Sequence, residues 1–442
     1  MKRSRQIDFT VVPGGALSGV FTVPGDKSIS HRTLMLGAIA EGETKVSGIL
    51  HGEDIKATAA AFQQMGVQID LFDDTKVNIQ GVGINGLCPS KKPLDLGNSG
   101  TSARLLTGLL AGQHFESTLT GDASLRRRPM QRVATPLQQM NADLSCSENG
   151  TLPIHIKESH ALKGIHYVMP VASAQLKSCL LLAGLYAESR TCIEEPAPTR
   201  DHTERLLASF SHPVERSGKV VCISKADKLT ATDITVPGDI SSAAFLMVGA
   251  CIAEGSDITL LQVGVNPTRH AVIEILQMMG ADISLHNHSE YGREPVADIR
   301  VKFSQLHGIE IPGHLVPSAI DEFPAIMIAA AFADGLTVLR DAAELRVKES
   351  DRIQAIADGL QATGIDVTPT EDGLRIEGGT MHGGTVNSCS DHRIAMAFTV
   401  AGIRATESIR ILDCYNVNTS FPGFVSTMQA TGLDVTEEVV DG

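Results

Sequence analysis

The chain has 442 residues, 43% hydrophobic and 20% charged, with no tryptophan and a formal net charge of −14 at pH 7. That length exceeds the ~250–300 residues at which one hydrophobic core usually stops growing, so two or three domains are expected. The acidic balance argues against a nucleic acid or an anionic membrane surface as partner, because the summed field repels both; an anionic substrate needs its own basic pocket.

The first residues, M-K-R-S-R-Q-I-D-F-T, have the charges of a secretory leader without the apolar run that should follow them. No apolar stretch reaches the ~18 residues of a membrane span, and the expectation is a cytoplasmic protein. Cys88, Cys146, Cys179, Cys192, Cys222, Cys251, Cys389 and Cys414 are scattered singly, with no C-x-x-C and no zinc spacing. They are expected as reduced thiols.

The first predicted helix begins at V-P-G-D-K-S-I-S-H-R (23–32), and the chain nearly repeats itself at V-P-G-D-I-S-S-A-A-F (236–245). Between these copies the same grammar recurs at G-N-S-G-T-S-A-R-L-L-T-G-L-L-A-G (97–112) and P-V-A-S-A-Q-L-K-S-C-L-L-L-A-G-L-Y-A (170–187). Beyond the second copy it recurs at I-D-E-F-P-A-I-M-I-A-A-A-F-A-D-G (320–335) and S-D-H-R-I-A-M-A-F-T-V-A-G (390–402). Each is a polar or Gly-rich turn, a helix of small apolar residues and a short β-like run; phrases such as M-G-V-Q-I and M-G-A-D-I close a second helix in most units. The segment around S-F-S-H-P-V fits this pattern least well.

These units start too far apart for a solenoid, and each is long enough to be a small α/β subdomain. Three precede the second V-P-G-D and three follow it. The predicted division is a discontinuous domain of residues 1–24 plus 238–442 and a second of 25–237. Helices such as A-I-M-I-A-A-A-F-A are apolar all round, which predicts burial at the centre of each domain with sheet outside. Pro24–Gly25 and Pro237–Gly238 are hinge candidates, the glycines being read as sites of unusual dihedrals.

Helix N-termini present free N–H groups and a positive dipole end, so they favour anions. Lys27, Ser28 and Arg32 open the first helix, Asn98 to Arg104 the second, and Ser173, Gln175 and Lys177 the third. Asp321 and Glu322 open the fifth, while Asp391, His392 and Arg393 open the sixth; the fourth reads as chemically bare. Asp26 and Asp239 read as N-caps. S-L-R-R-R-P-M-Q-R (124–132) and R-V-K-E-S-D-R (346–352) add guanidinium groups suited to phosphate or carboxylate. Neither a P-loop nor a dinucleotide fingerprint is present, and H-N-H at 286–288 reads as a surface loop rather than a metal site.

Taken together, G-D-K-S-I-S-H-R, G-N-S-G-T-S-A-R, R-R-R-P-M, S-A-Q-L-K, R-D-H-T-E, N-P-T-R, R-V-K-E-S-D-R and D-H-R-I-A-M resemble the 5-enolpyruvylshikimate-3-phosphate (EPSP) synthase family over nearly the whole chain. The resemblance implies an α/β enolpyruvyl transferase fold of two domains, each of three βαβαββ units, with the active site in the cleft between them. It implies attack of the 5-hydroxyl of shikimate 3-phosphate on phosphoenolpyruvate, with no cofactor and no metal, in a monomer. Carried over by motif, Lys27, Ser28, Arg32, Ser173, Gln175, Asp321 and Lys348 hold shikimate 3-phosphate. Lys27, Gly100, Arg128, Gln175, Arg352 and Arg393 surround phosphoenolpyruvate. Asp321 is the expected base, and Glu349 or Lys27 the proton donor to C3.

Two positions depart from the family pattern. Thr419 stands where several members have a lysine, and Ala174 replaces a serine. R-D-H-T-E, S-A-Q-L-K and N-P-T-R resemble members with reduced glyphosate sensitivity. Two other readings compete: the related UDP-N-acetylglucosamine enolpyruvyl transferase, which would have K-N rather than K-S at 27–28, and a non-catalytic anion-binding repeat protein, which leaves Asp321 and Glu349 unexplained.

Overall fold

Each recurrence of the small-residue phrase folds into a buried helix backed by a small sheet. The computed structural model describes residues 6–73 and 75–440, so the charges of residues 1–5 lie outside the described residues. It divides into two units: one holds the chain up to Pro24, Pro237–Ser289 and everything from Pro295, and the other holds Gly25–Val236 with Glu290–Glu294.

The second unit contains helices α1 (Lys27–Ala38), α2 (Glu53–Gln64), α3 (Gly100–Leu110), α4 (Gln131–Gln139), α5 (Ala174–Gly184) and α6 (His202–Ser209). The first contains α7 (Ile240–Ile252), α8 (Ala271–Met278), the single turn α9 (Val316–Ala319), α10 (Phe323–Ala331), α11 (Arg352–Ala362), α12 (His392–Ala401) and α13 (Phe424–Thr431). The first helix of each repeat is the apolar one. Every residue of α7 and α10 is buried, as is α3 but for Thr101, because their faces lack the polar stripe that would let one side meet water.

The sheets repeat one topology. In the second unit, Glu41–Ser47 pairs in parallel with Ile234–Thr235 and antiparallel with Lys76–Val82, which in turn pairs with Gln68–Asp73. The sheets built on Ser117–Thr120 and Thr191–Glu194 have the same order, so the irregular S-F-S-H-P-V phrase still yields a full third unit. In the first unit, Gln6–Val12 lies between Ile409–Leu412 and Asp434–Val440, and Ser18–Thr22 pairs in parallel with Asp257–Gly264. The chain's opening strands thus complete sheets whose other strands come more than two hundred residues later. Alternation of buried and less buried positions along Leu374–Glu377 and Ile409–Leu412 marks one face as core and the other as solvent. Each unit has its own hydrophobic core, centred on Phe245, Phe323 and Phe398 in one and on Phe62, Leu106 and Leu181 in the other.

The two V-P-G-D copies fall at the boundaries between units. Their glycines are required for a different reason from the expected one. Neither is in the left-handed region. A Cβ on Gly25 would lie 1.8 Å from the Gly48 carbonyl oxygen, and one on Gly238 would lie 2.9 Å from Val23 Cγ2. Close backbone approach excludes a side chain at Gly25, and the Val23 side chain crowds one at Gly238; an unusual dihedral accounts for neither.

Two further expectations are corrected. Cys192 and Cys222 are joined as a disulfide, because they sit directly opposite each other on the antiparallel strands Thr191–Glu194 and Val220–Ile223. Sequence separation concealed that register; the other six cysteines are free thiols. His286, Asn287 and His288 lie exposed on the strand Asp282–Tyr291, not in a loop, and among the described residues no group of His, Cys, Asp and Glu is arranged to hold a metal. No helix of the described residues is long and apolar enough to cross a membrane.

Candidate active site

In the second unit most of the side chains that the sequence singles out lie at the starts of α1, α3 and α5. Asp26 caps α1, its Oδ1 accepting from the Ile29 amide at 2.8 Å, which sets Lys27 on the first helical turn. Lys27 Nζ lies 2.6 Å from Asp54 Oδ2, a carboxylate from the first turn of α2 that is itself almost fully buried. One turn on, Arg32 is also buried. It donates from Nε to Thr203 Oγ1 (2.7 Å), from Nη2 to Ser178 Oγ (2.7 Å) and from Nη1 to the Ser28 carbonyl (2.8 Å). Burial pushes its pKa down to about 10, with Glu204 pulling the other way, so it remains a cation at neutral pH. A buried cation held by three neutral oxygens is prepared for an anion.

Ser99 caps α3 by accepting from the Ser102 amide at 3.1 Å. Gly100 follows, where a Cβ would stand 3.0 Å from Arg128 Nη1 and 3.3 Å from Arg104 Nη1. Arg128 is oriented by Asn98, whose Oδ1 accepts from Nη2 at 2.5 Å while its own Nδ2 donates to Asp122 at 2.7 Å. Arg126 and Arg127, its neighbours in the sequence, are exposed. Gln175, just inside α5, accepts from Arg104 Nη1 at 2.5 Å and donates to Thr101 at 3.1 Å, and Ser173 caps the helix. Lys177 does not face the helix start. It is fully buried between Glu204 Oε1 (2.7 Å) and Glu195 Oε1 (3.0 Å), where its charge is spent on structure.

His31, adjacent to Arg32, ties α1 to its neighbours. Its Nδ1 lies 2.9 Å from Thr58 Oγ1 and 3.3 Å from Ser102 Oγ, and its Nε2 lies 3.4 Å from Ser99 Oγ. Burial, then the charges of Lys27 and Arg32, hold its pKa well below the usual 6.5. The ring is therefore neutral in the folded chain, whereas in the unfolded chain it takes up a proton as pH falls below about 6.5. Stability is lost through that window, at up to about 1.4 kcal/mol per pH unit. Thermal melts between pH 7 and 5 should show His31→Gln losing less stability on acidification than the native chain; equal slopes would remove His31 from this role.

The first unit builds its cluster from α10, α11 and α12. Arg352 is fully buried at the start of α11 and donates to three carboxylates: Nε to Asp391 Oδ2 at 2.8 Å, Nη2 to Glu349 Oε2 at 2.7 Å, and Nη1 to Asp321 Oδ1 at 3.4 Å. Asp391, also fully buried, caps α12 through the Arg393 amide at 2.9 Å. Burial alone would push its carboxyl pKa up, but Arg352 outweighs that and holds it below the usual carboxylate range. Lys348 Nζ lies 3.5 Å from Asp321 Oδ1, and Arg393 Nη1 donates to the Asp321 carbonyl at 2.8 Å. Asp321, Lys348, Glu349, Arg352 and Arg393 are thus brought together on one residue, Asp321, or one contact away from it.

The start of α7, expected to be bare, is not. Ser241 donates to the buried Glu322 carboxylate and accepts from Arg269 Nη2 at 2.6 Å, and Asp239 caps the helix through the Ser241 amide at 2.8 Å. Its chemistry is satisfied internally rather than offered to a ligand. Thr419, where a lysine is common in the family, spends its hydroxyl on the Asn416 carbonyl at 2.7 Å and adds no charge. Sequence reasoning missed Asp54 and Asn98 as partners of Lys27 and Arg128. Asn98 sat in a noted motif, but nothing in the sequence marked Asp54, an ordinary acidic residue in a helix first turn.

A grouping of this kind invites comparison with known proteins. The family model for EPSP synthase (3-phosphoshikimate 1-carboxyvinyltransferase) matches residues 11–428. The chain belongs to the EPSP synthase family. Among its relatives, the 3-phosphoshikimate 1-carboxyvinyltransferase of Methylococcus capsulatus is 61% identical over 98% of this chain and 99% of its own. That of Alkalilimnicola ehrlichii is 58% identical over 99% and 98%. A solved EPSP synthase from Acinetobacter baumannii superposes with a TM-score of 0.88 at 53% identity, covering 98% of this chain and all of that one. The enolpyruvyl transferase NikO from Streptomyces tendae, at 14% identity and a TM-score of 0.79, shares the fold. Membership of the EPSP synthase family confirms the enolpyruvyl transferase fold and does not favour the UDP-N-acetylglucosamine transferase alternative.

Proposed function

We infer that the two charged clusters serve the reaction of the EPSP synthase family, carboxyvinyl transfer from phosphoenolpyruvate to the 5-hydroxyl of shikimate 3-phosphate with release of phosphate. The chain is a transferase of the shikimate pathway, which leads to chorismate and the aromatic amino acids. The observation that carries the site assignment is the gathering of Lys348, Arg352 and Arg393 about Asp321. A general base for a hydroxyl and a set of cations for polyanions are what the chemistry needs.

In this reading Lys27, Ser28, Arg32, Ser173 and Gln175 bind shikimate 3-phosphate from the second unit, and Asp321 and Lys348 bind it from the first. Phosphoenolpyruvate lies against Lys27, Gly100, Arg128, Gln175, Arg352 and Arg393. Asp321 takes the 5-hydroxyl proton as the oxygen attacks C2, and C3 gains a proton from Lys27 or Glu349. The resulting tetrahedral intermediate loses the C3 proton and the phosphate in a second step, which regenerates the vinyl group on the product. The reading requires both sets of residues to meet the same ligands.

A cytoplasmic monomer is the proposed form. The absence of a membrane-spanning helix among the described residues agrees with it, while the Cys192–Cys222 bridge is unusual for a reducing compartment. Purified protein should release inorganic phosphate from phosphoenolpyruvate only when shikimate 3-phosphate is also present. Phosphate release that is independent of shikimate 3-phosphate, or none with both substrates, would overturn the function.

A further inference from the structure

Glu322 is adjacent to Asp321 in the sequence, yet nothing in the proposed chemistry uses it. It is fully buried at the start of α10, where its carbonyl accepts from the Ala325 and Ile326 amides at 3.0 Å each, so its backbone is fixed. A buried carboxylate is costly unless it is paired, and Glu322 has its partners on one oxygen. Oε1 accepts from Ser241 Oγ, lies 3.3 Å from Arg269 Nη2 and lies 3.9 Å from Arg393 Nη1.

Arg269 is held in turn by Ser241 at 2.6 Å and by Asp239, the aspartate of the second V-P-G-D, at 3.4 Å. The Arg393 guanidinium meets this assembly on two sides of one peptide: the Asp321 carbonyl at 2.8 Å and the Glu322 carboxylate beyond it. The second V-P-G-D, which lacks the ligand-facing cations of the first, therefore reaches the candidate site through Arg269 and Glu322.

We propose that Glu322, anchored by Arg269 and Ser241, is a positioning residue that seats the Arg393 guanidinium for phosphoenolpyruvate. The inference rests on the assignment of Arg393 to phosphoenolpyruvate made above. Its physical content is a charge: the Glu322 carboxylate orients a neighbouring cation in a low-dielectric setting, where charge pairs are strongly coupled. Glutamine at this position keeps the shape and an acceptor for Ser241 but removes the charge.

A double-mutant cycle tests it, with steady-state kinetics in both substrates and a thermal melt of each variant. Glu322→Gln should raise KM for phosphoenolpyruvate by ~10-fold or more and change KM for shikimate 3-phosphate by less than ~2-fold. In an Arg393→Ala background the same substitution should add almost nothing. Ser241→Ala, which leaves the Arg269–Glu322 pair in place, should give a smaller effect of the same non-additive kind and keeps the test open if Glu322→Gln does not fold. Additive effects, or parallel rises in both KM values, would reduce Glu322 to a structural residue and overturn the inference alone. An unchanged phosphoenolpyruvate KM in Arg393→Ala itself would instead overturn the site assignment, and the inference with it.

Discussion

Asp321→Asn should lower turnover by roughly 10²–10⁴-fold while shikimate 3-phosphate binds almost as it does to the native chain. The range is that of a general base removed from a step in which proton transfer accompanies bond formation. Asparagine fits the same volume and still offers an oxygen to Arg352 Nη1 and Lys348 Nζ, which lie 3.4 and 3.5 Å from Asp321 Oδ1. The carbonyl that receives Arg393 belongs to the backbone and is untouched by the substitution. Loss of turnover should therefore come without loss of fold. Titration calorimetry with shikimate 3-phosphate, beside single-turnover phosphate release, checks both halves of the expectation. Near-native turnover would remove Asp321 from the base role, and abolished binding would make it a ligand first.

The repeat was legible because its physics is local. A polar cap followed by small apolar residues dictates a buried helix, and the V-P-G-D copies announced where such helices begin. Arg32 and Arg393 stand out because a cation at the start of an apolar helix has no structural reason to be there, whereas Arg128 and Arg352 are singled out within the charged segments 124–132 and 346–352 only by the family resemblance. What the sequence could not show was pairing at a distance. Lys177 looked like another cation at a helix start, but Glu195 and Glu204, on later elements, enclose it. Cys192 and Cys222 became partners only through strand register. Ser241 seemed inert until Arg269 and Glu322 were brought to it from two other elements. Helix starts can be read along the chain; the identity of the group opposite a buried charge depends on the tertiary fold.

That dependence makes Arg352 a residue whose substitution should have two separable effects. Arg352 and Asp391 are 1% and 0% exposed, and their bond at 2.8 Å leaves neither in contact with bulk water. Arg352→Ala strips a buried carboxylate of its main counter-charge, and a loss of about 3–5 kcal/mol in stability is expected from that alone. On the proposed assignment phosphoenolpyruvate recognition should fall in the same variant, so kinetics by themselves would confuse a missing ligand contact with a loosened fold. Arg352→Ala with Asp391→Asn separates them. Asparagine removes the uncompensated charge while its oxygen can still cap α12 through the Arg393 amide, so the double variant should recover much of the lost stability and none of the turnover. The pH dependence has a definite sign. With Arg352 gone, the burial that pushes the Asp391 carboxyl up is no longer outweighed, so the single variant takes up a proton at a higher pH than the native chain. Its stability defect should be largest at neutral pH and should shrink on acidification. Denaturant melts of the three proteins at pH 7 and pH 5 measure this; a single variant as stable as the native chain, or a double variant no more stable than the single, would show that Asp391 does not depend on Arg352.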